Sequence, residues 1–166
     1  MRETPCGFWT LISIMCDEEG VPTVTKEETV QNPKLLNPVT LAYIGDVVYE
    51  LLVRTMVVTE NGAMSAFMLH KTSVHFVCAE AQAKGVDAIL PMLTEEEENV
   101  YKRGRNSTSS KVPKHADAAQ YRKATGLEAL FGFLYLTKQE ARIRELFSVA
   151  TNVVKGDLTH EKNEDQ

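Results

Sequence analysis

Three acidic side chains stand where a helix built only for packing has no need of them. Asp46 and Glu50 are four residues apart, which puts both on one face of a helix. Leu41, Ile44, Val48, Leu51 and Leu52, at spacings of three and four, mark the face to be buried. Asp46 follows Gly45. A glycine inside a helix costs about 1 kcal/mol relative to alanine, so this one points to another element approaching the backbone. Glu128 lies in GLEALFGFLYL, among the most apolar stretches of the chain, and Gly132 opens room on the same face one turn later. A carboxylate in such surroundings has to be paired, protonated or bound to a metal, because burying it uncompensated is expensive. Spacing alone leaves two readings open: carboxylates that hold a metal ion, or acids that are solvated or paired with Arg54 or Arg122.

Helices must position these groups. Asn37 is a good N-cap and Pro38 suits a first turn, so a helix starts there and Asn61-Gly62 stops it. A second is predicted from about Met64 to Lys84, with Phe67, Val74, Val77, Cys78 and Ala81 as its buried stripe and Gly85 closing it. Thr94 and Glu97 form a capping box, with Lys102 and Arg103 near the other end. Helix initiation thus explains the run Glu95–Glu98 better than metal binding does. Asp117 caps a helix through Ala124, Leu127, Leu130, Phe131 and Leu134 to Leu136, and a last one spans about Lys138 to Val154. No period-two segment competes, so the fold is expected to be all-α.

Three regions follow from this reading. Residues 1–36 are a pattern-poor arm, expected to be flexible, in which Met15 offers an alternative start. Residues 37–154 form the folded domain, and 155–166 an acidic tail. The apolar run from Gly7 to Cys16 lacks the basic flank and small-residue cleavage site of a secretion signal. No run of 18 uncharged apolar residues exists, which excludes a conventional helical membrane span. Three cysteines without a C-x-x-C pair argue against a disulfide framework or thiolate zinc site, and favour a reducing compartment, the cytoplasm.

The net charge is −5, yet residues 101–123 carry seven basic side chains against Asp117 alone. Such an island on an acidic chain suits either a polyanion or plain solvation. It includes a long polar loop, residues 105–116, of the kind that often binds.

The exact strings carry a further reading. LAYIGDVVYELLV resembles the signature of the ribonuclease III family, in which an aspartate after glycine on a helix binds the catalytic metal. GLEALFGFLYL resembles the family's second motif. Leu69, His70, Lys71 and Ser73, then TEEEENVYKRGRN, the Pro113-Lys114 loop and YRKATGLEALFGFLYL extend the resemblance to the small bacterial branch, Mini-ribonuclease III. The resemblance implies an all-α ribonuclease III-like domain that dimerises and cuts double-stranded RNA with Mg²⁺, for which Mn²⁺ substitutes. It implies Asp46 and Glu128 as catalytic metal ligands. It also implies a large-subunit (23S) ribosomal RNA precursor as substrate, with a ribosomal protein assisting, and products with 5′-phosphate and 3′-hydroxyl ends. Larger relatives carry two more acids, where this chain has Ala42 and Thr125. Glu50 is therefore expected as a supporting acid and Thr125 as a supporting hydroxyl. Those relatives also append an RNA-binding domain. Here the grip on duplex RNA is expected from Lys102, Arg103, Arg105, Asn106, Lys111 and Lys114. His70, His75 and His115 are expected in structural or RNA-contacting roles and Cys78 in the core. The alternative is a catalytically silent relative that binds or scaffolds structured RNA, which the missing acids motivate.

Overall fold

A computed structural model describes residues 32–107 and 117–164. All regular structure among the described residues is helical, in agreement with the periodicity. Six α-helices follow one another: α1 (Pro38–Asn61), α2 (Ala66–Val77), α3 (Ala79–Ile89), α4 (Glu95–Arg105), α5 (Ala118–Leu136) and α6 (Glu140–Glu164). Helix α5 is the axis, with α1, α3 and α4 packed around it, and α6 lies against α3. Its residues 124 to 134 are buried except Glu128. Apolar side chains on every face of α5 make it a core helix rather than an amphipathic one.

The predicted caps are present. The Asn37 side chain accepts from the Val39 N–H at 2.9 Å, and Asp117 accepts from Ala119 and Gln120 at 2.7 and 3.2 Å. In the capping box of α4, Thr94 Oγ1 accepts from the Glu97 N–H and Glu97 Oε2 accepts from the Thr94 N–H. Glu97 has a second task. It is buried, and Arg142 of α6 donates to both its oxygens, at 2.8 and 2.9 Å, and to the Met92 carbonyl. Burial pushes the Glu97 carboxyl up, but Arg142 and the Thr94 N–H outweigh it and hold it below the usual range. Arg142→Ala would strand that carboxylate and cost about 3 kcal/mol at neutral pH. A lowered pKa gives stability that is present above the ordinary carboxylate range and lost as pH falls through it. The gap between wild type and variant in urea unfolding should therefore narrow in acid.

The structure differs from the sequence reading at several places. The helix expected from Met64 to Lys84 is two, because Cys78 is extended (φ −68°, ψ 152°) and separates α2 from α3. The two halves serve different neighbours, α2 packing on α1 while α3 packs on α5 and α6. Phe76 and Ala81 are buried on either side of the break, whereas Phe67, Val74 and Cys78 are exposed. Cys78 is thus a surface residue and not core. Gly85 does not end a helix but sits inside α3, where its missing side chain lets the backbone meet Ala150. On α1, Leu51 faces outward while Ala42, Tyr49, Val53 and Val57 join Leu41 and Val48 in the core. Lys138 has a positive φ of 58° and belongs to the turn before α6, and that helix continues past Val154 into the expected tail.

The end of the expected arm is tied down. Asn32 caps a 3₁₀ turn at Pro33–Leu35, Lys34 pairs with Glu96, and Arg103 donates to the carbonyls of Lys34 and Leu36. Residues 1–31, Met15 among them, lie outside the described residues.

Candidate active site

The site is built where two glycines let two helices touch. A Cβ on Gly45 of α1 would overlap the Glu128 carbonyl of α5, and one on Gly132 would overlap the Leu41 carbonyl. Only glycine at both positions allows backbones to cross this closely. The crossing brings Asp46, next to Gly45, alongside Glu128, one turn before Gly132. A second close crossing packs α4 on the middle of α5: a Cβ on Gly104 would run into Ala129 and Gly126, and one on Gly126 would run into Tyr101.

Asp46 is exposed and Glu128 partly buried, so the pair sits at the rim of the core within reach of solvent. Burial and, next, the negative charge of Asp46 push the Glu128 carboxyl up to about 8; a hydrogen bond from Gln82 opposes them. Burial and Glu50 likewise raise Asp46. Among the described residues no lysine or arginine forms an ion pair with either acid. Two close carboxylates of one sign, hard oxygen donors without a basic partner, fit a divalent cation such as Mg²⁺ or Mn²⁺. A cage of three or more His, Cys, Asp or Glu is absent from the described residues, so protein ligands would leave most of the coordination sphere to other groups.

Glu50 is near enough to act on Asp46 through its charge, yet its carboxylate is held by Arg54, at 2.5 and 3.0 Å. Thr125 is buried and donates its hydroxyl to the Tyr121 carbonyl of its own helix at 3.1 Å. The basic residues stand in the last turn of α4. Lys102 pairs with Glu98, and Arg105 lies over the Tyr101 ring and donates to Asn106. Two Arg103 N–H groups are taken by the Lys34 and Leu36 carbonyls, which gives that residue a structural task. Lys111 and Lys114 lie outside the described residues. Sequence reasoning missed Gln82, a buried side chain on α3 whose amide counters the rise of the Glu128 carboxyl. Its one signal is a position between two small residues, Ala81 and Ala83, in a helix that must pack closely.

A cation entering this pair must displace the Glu128 proton. Apparent Mn²⁺ affinity should rise by up to about tenfold per pH unit toward pH 8 and then level off, with proton release seen as a buffer-dependent heat in calorimetry. The raised pKa also fixes a sign for folding. Between the ordinary value of 4.5 and about 8 the folded state holds a proton that the unfolded state has lost. The metal-free protein should therefore lose stability as pH rises through that window.

An all-helical domain with two carboxylates brought together at a glycine crossing has oxygen donors suited to a divalent cation, and comparison with known proteins supplies the class. Residues 39–139 match the ribonuclease III domain. A Mini-ribonuclease 3 of Clostridium tetani is 40% identical over 136 residues, covering 82% of this chain and 90% of that protein. One of Enterococcus faecalis is 47% identical over 117 residues, covering 69% and 88%. A crystal structure of a Fusobacterium nucleatum protein superposes with a TM-score of 0.63 at 29% identity, covering 68% of this chain and 91% of that one. The chain belongs to the ribonuclease III family, in its Mini-ribonuclease 3 branch, and is an endoribonuclease. No helix among the described residues is long and apolar enough to cross a membrane.

Proposed function

We propose that this endoribonuclease cuts double-stranded RNA in a Mg²⁺-dependent reaction, as a homodimer in the cytoplasm. Its substrate in this reading is the large-subunit (23S) ribosomal RNA precursor, presented with the help of a ribosomal protein. The observation that carries the proposal is the meeting of Asp46 and Glu128 at the Gly45–Gly132 crossing. These two residues would hold the cation. When bound, Mg²⁺ supplies Lewis acidity toward phosphate and an activated water at neutral pH. The chain's own part is positional. The crossing fixes the two carboxylates on rigid helices, and burial of Glu128 on one side keeps the pair in a low-dielectric rim. Glu50, restrained by Arg54, adds negative potential beside Asp46. Lys102, Arg105 and Asn106, with Lys111 and Lys114, would meet phosphates and sugars across the RNA minor groove.

An outward apolar face supports the dimer. Tyr43 is 75% exposed and Val47 59% on α1, beside outward-facing Leu51, and Phe67 of α2 is 74% exposed. Tyr43, Val47 and Leu51 lie at i, i+4 and i+8 on one helix flank, adjacent to that of Asp46 and Glu50. A second copy covering this face would set two sites near each other, as cutting both strands of a duplex requires, each leaving 5′-phosphate and 3′-hydroxyl ends.

The buried Thr125 hydroxyl, bonded within its own helix, and buried Ala42 keep a second reading in view, a silent relative that binds RNA without cutting it. Incubating purified protein with duplex RNA, with Mg²⁺ or with EDTA, decides between them. Cation-dependent cutting supports the nuclease; binding without cutting supports the scaffold.

A further inference from the structure

Arg103 is exposed, yet its guanidinium is not left to solvent. Nη1 donates to the Lys34 carbonyl at 2.8 Å and Nη2 to the Leu36 carbonyl at 2.7 Å. Residues 32–36 form a strap ahead of α1, and burial does little to hold it. No residue of its 3₁₀ turn is buried, and Leu35 is 80% exposed. An open cleft of about 320 Å³ is lined by Lys34 of the strap and by Glu95, Asn99 and Val100 of α4. The tie therefore rests on point contacts, the Arg103 fork and the Lys34–Glu96 ion pair. An exposed ion pair of this kind contributes little, so the fork carries most of the tie. On α4, Arg103 stands between Lys102 and Gly104, and Gly104 packs against Gly126 and Ala129 of α5. The last turn of α4 is thus held by α5 on one flank and by the strap on another, where an untethered helix end frays. The strap's last residue, Leu36, precedes Asn37, the N-cap of the helix that bears Asp46. A planar guanidinium can span two carbonyls, whereas an ammonium donates from a single point. With its Nη1–Nη2 edge so engaged, Arg103 does not offer that edge to a phosphate.

We propose that Arg103 is a positioning residue for RNA: its fork ties the strap to the last turn of α4 and holds Lys102, Arg105 and Asn106 in the register in which they meet the duplex. This rests on the reading above, in which those three side chains contact RNA. Freed of the tie, they have to be ordered as the duplex arrives, and that ordering weakens binding without removing a phosphate contact.

The test compares wild type with Arg103→Met, which removes the fork, and Arg103→Lys, which keeps the charge without it. Lys102→Ala is the reference for a lost phosphate contact. Duplex RNA binding is measured in Ca²⁺ across a salt series, hydrogen exchange of the Leu35 and Leu36 amides by mass spectrometry, and thermal unfolding by calorimetry. Both Arg103 variants are expected to bind about tenfold more weakly than wild type. The slope of log affinity against log salt should stay at its wild-type value in both, with faster exchange at Leu35 and Leu36. Lys102→Ala should lose roughly one unit of that slope. A slope lowered by Arg103→Met and restored by Arg103→Lys would make Arg103 a phosphate contact. Affinity within about twofold of wild type in both variants, with only a lowered melting temperature, would make it purely structural. Either pattern overturns the proposal, as does failure of both variants to fold cooperatively. A wild-type protein that binds duplex RNA without metal-dependent cutting would overturn the nuclease reading and leave the binding outcomes to decide Arg103, so the two failures are distinguishable.

Discussion

Asp46→Asn and Glu128→Gln are each expected to slow duplex cleavage by about a thousandfold or more while leaving RNA binding intact. A site-bound cation contributes several kcal/mol of transition-state stabilisation, and about 4 kcal/mol corresponds to a thousandfold in rate. Either amide keeps the shape of its acid and removes a charged oxygen ligand. Binding should survive because Lys102, Arg105 and Asn106, at the C-terminal end of α4, are left unchanged by either substitution. Stability should move the other way. Glu128 is raised by burial and by Asp46, so removing either charge relieves a cost that the metal-free fold carries. Metal-free Glu128→Gln should melt higher than wild type at pH 8, the gap closing in acid, and should lose the extra stability that Mn²⁺ gives wild type. Single-turnover cleavage, RNA binding in Ca²⁺ and thermal melts check the three parts separately. Equal loss of binding and cutting would mean that the acids shape the RNA surface rather than the chemistry.

Gly45→Ala is the second large effect. Its Cβ would overlap the Glu128 carbonyl, with the Gly132 nitrogen only 2.7 Å away. These are backbone atoms of the central helix and cannot swing aside as a side chain can. The substitution gains about 1 kcal/mol in helix propensity, but overpacking of this kind costs 1–3 kcal/mol or more, here at the hub of the fold. The expected outcome is a melting temperature lowered by many degrees or loss of cooperative unfolding. Cutting should fall further than stability does, since separating α1 from α5 separates Asp46 from Glu128. Gly156→Ala is the control. A Cβ there meets nothing within 4 Å, so it should be neutral or slightly stabilising. Comparable behaviour of the two alanines in calorimetric melts would refute the glycine crossing as the device that assembles the site.

What the sequence made legible follows from the range of the forces involved. Caps are local: Asn37, Thr94 with Glu97, and Asp117 each recruit N–H groups within three residues, so reading them needs no tertiary knowledge. The acids were legible because glycines inside helices are costly, and Gly45 and Gly132 stand beside Asp46 and Glu128. The α2–α3 break was not, because no breaking residue sits at Cys78; the turn is imposed by two helices serving different neighbours. Leu51 misled because α1 carries apolar residues on both its core face and its outward face, so periodicity alone cannot separate them. The bonds from Arg103 to the carbonyls of Lys34 and Leu36 were not legible, because they join residues 69 and 67 positions apart. Gln82 was hidden because Glu128, the carboxyl it acts on, lies 46 positions away on another helix.

The most direct test of the account is anomalous diffraction from crystals of the protein grown with Mn²⁺. The prediction is an ion contacted at about 2.1 Å by one oxygen from Asp46 and one from Glu128 in the same subunit. An ion held by only one of these residues, or a site elsewhere with this pair left metal-free at saturating Mn²⁺, would contradict it.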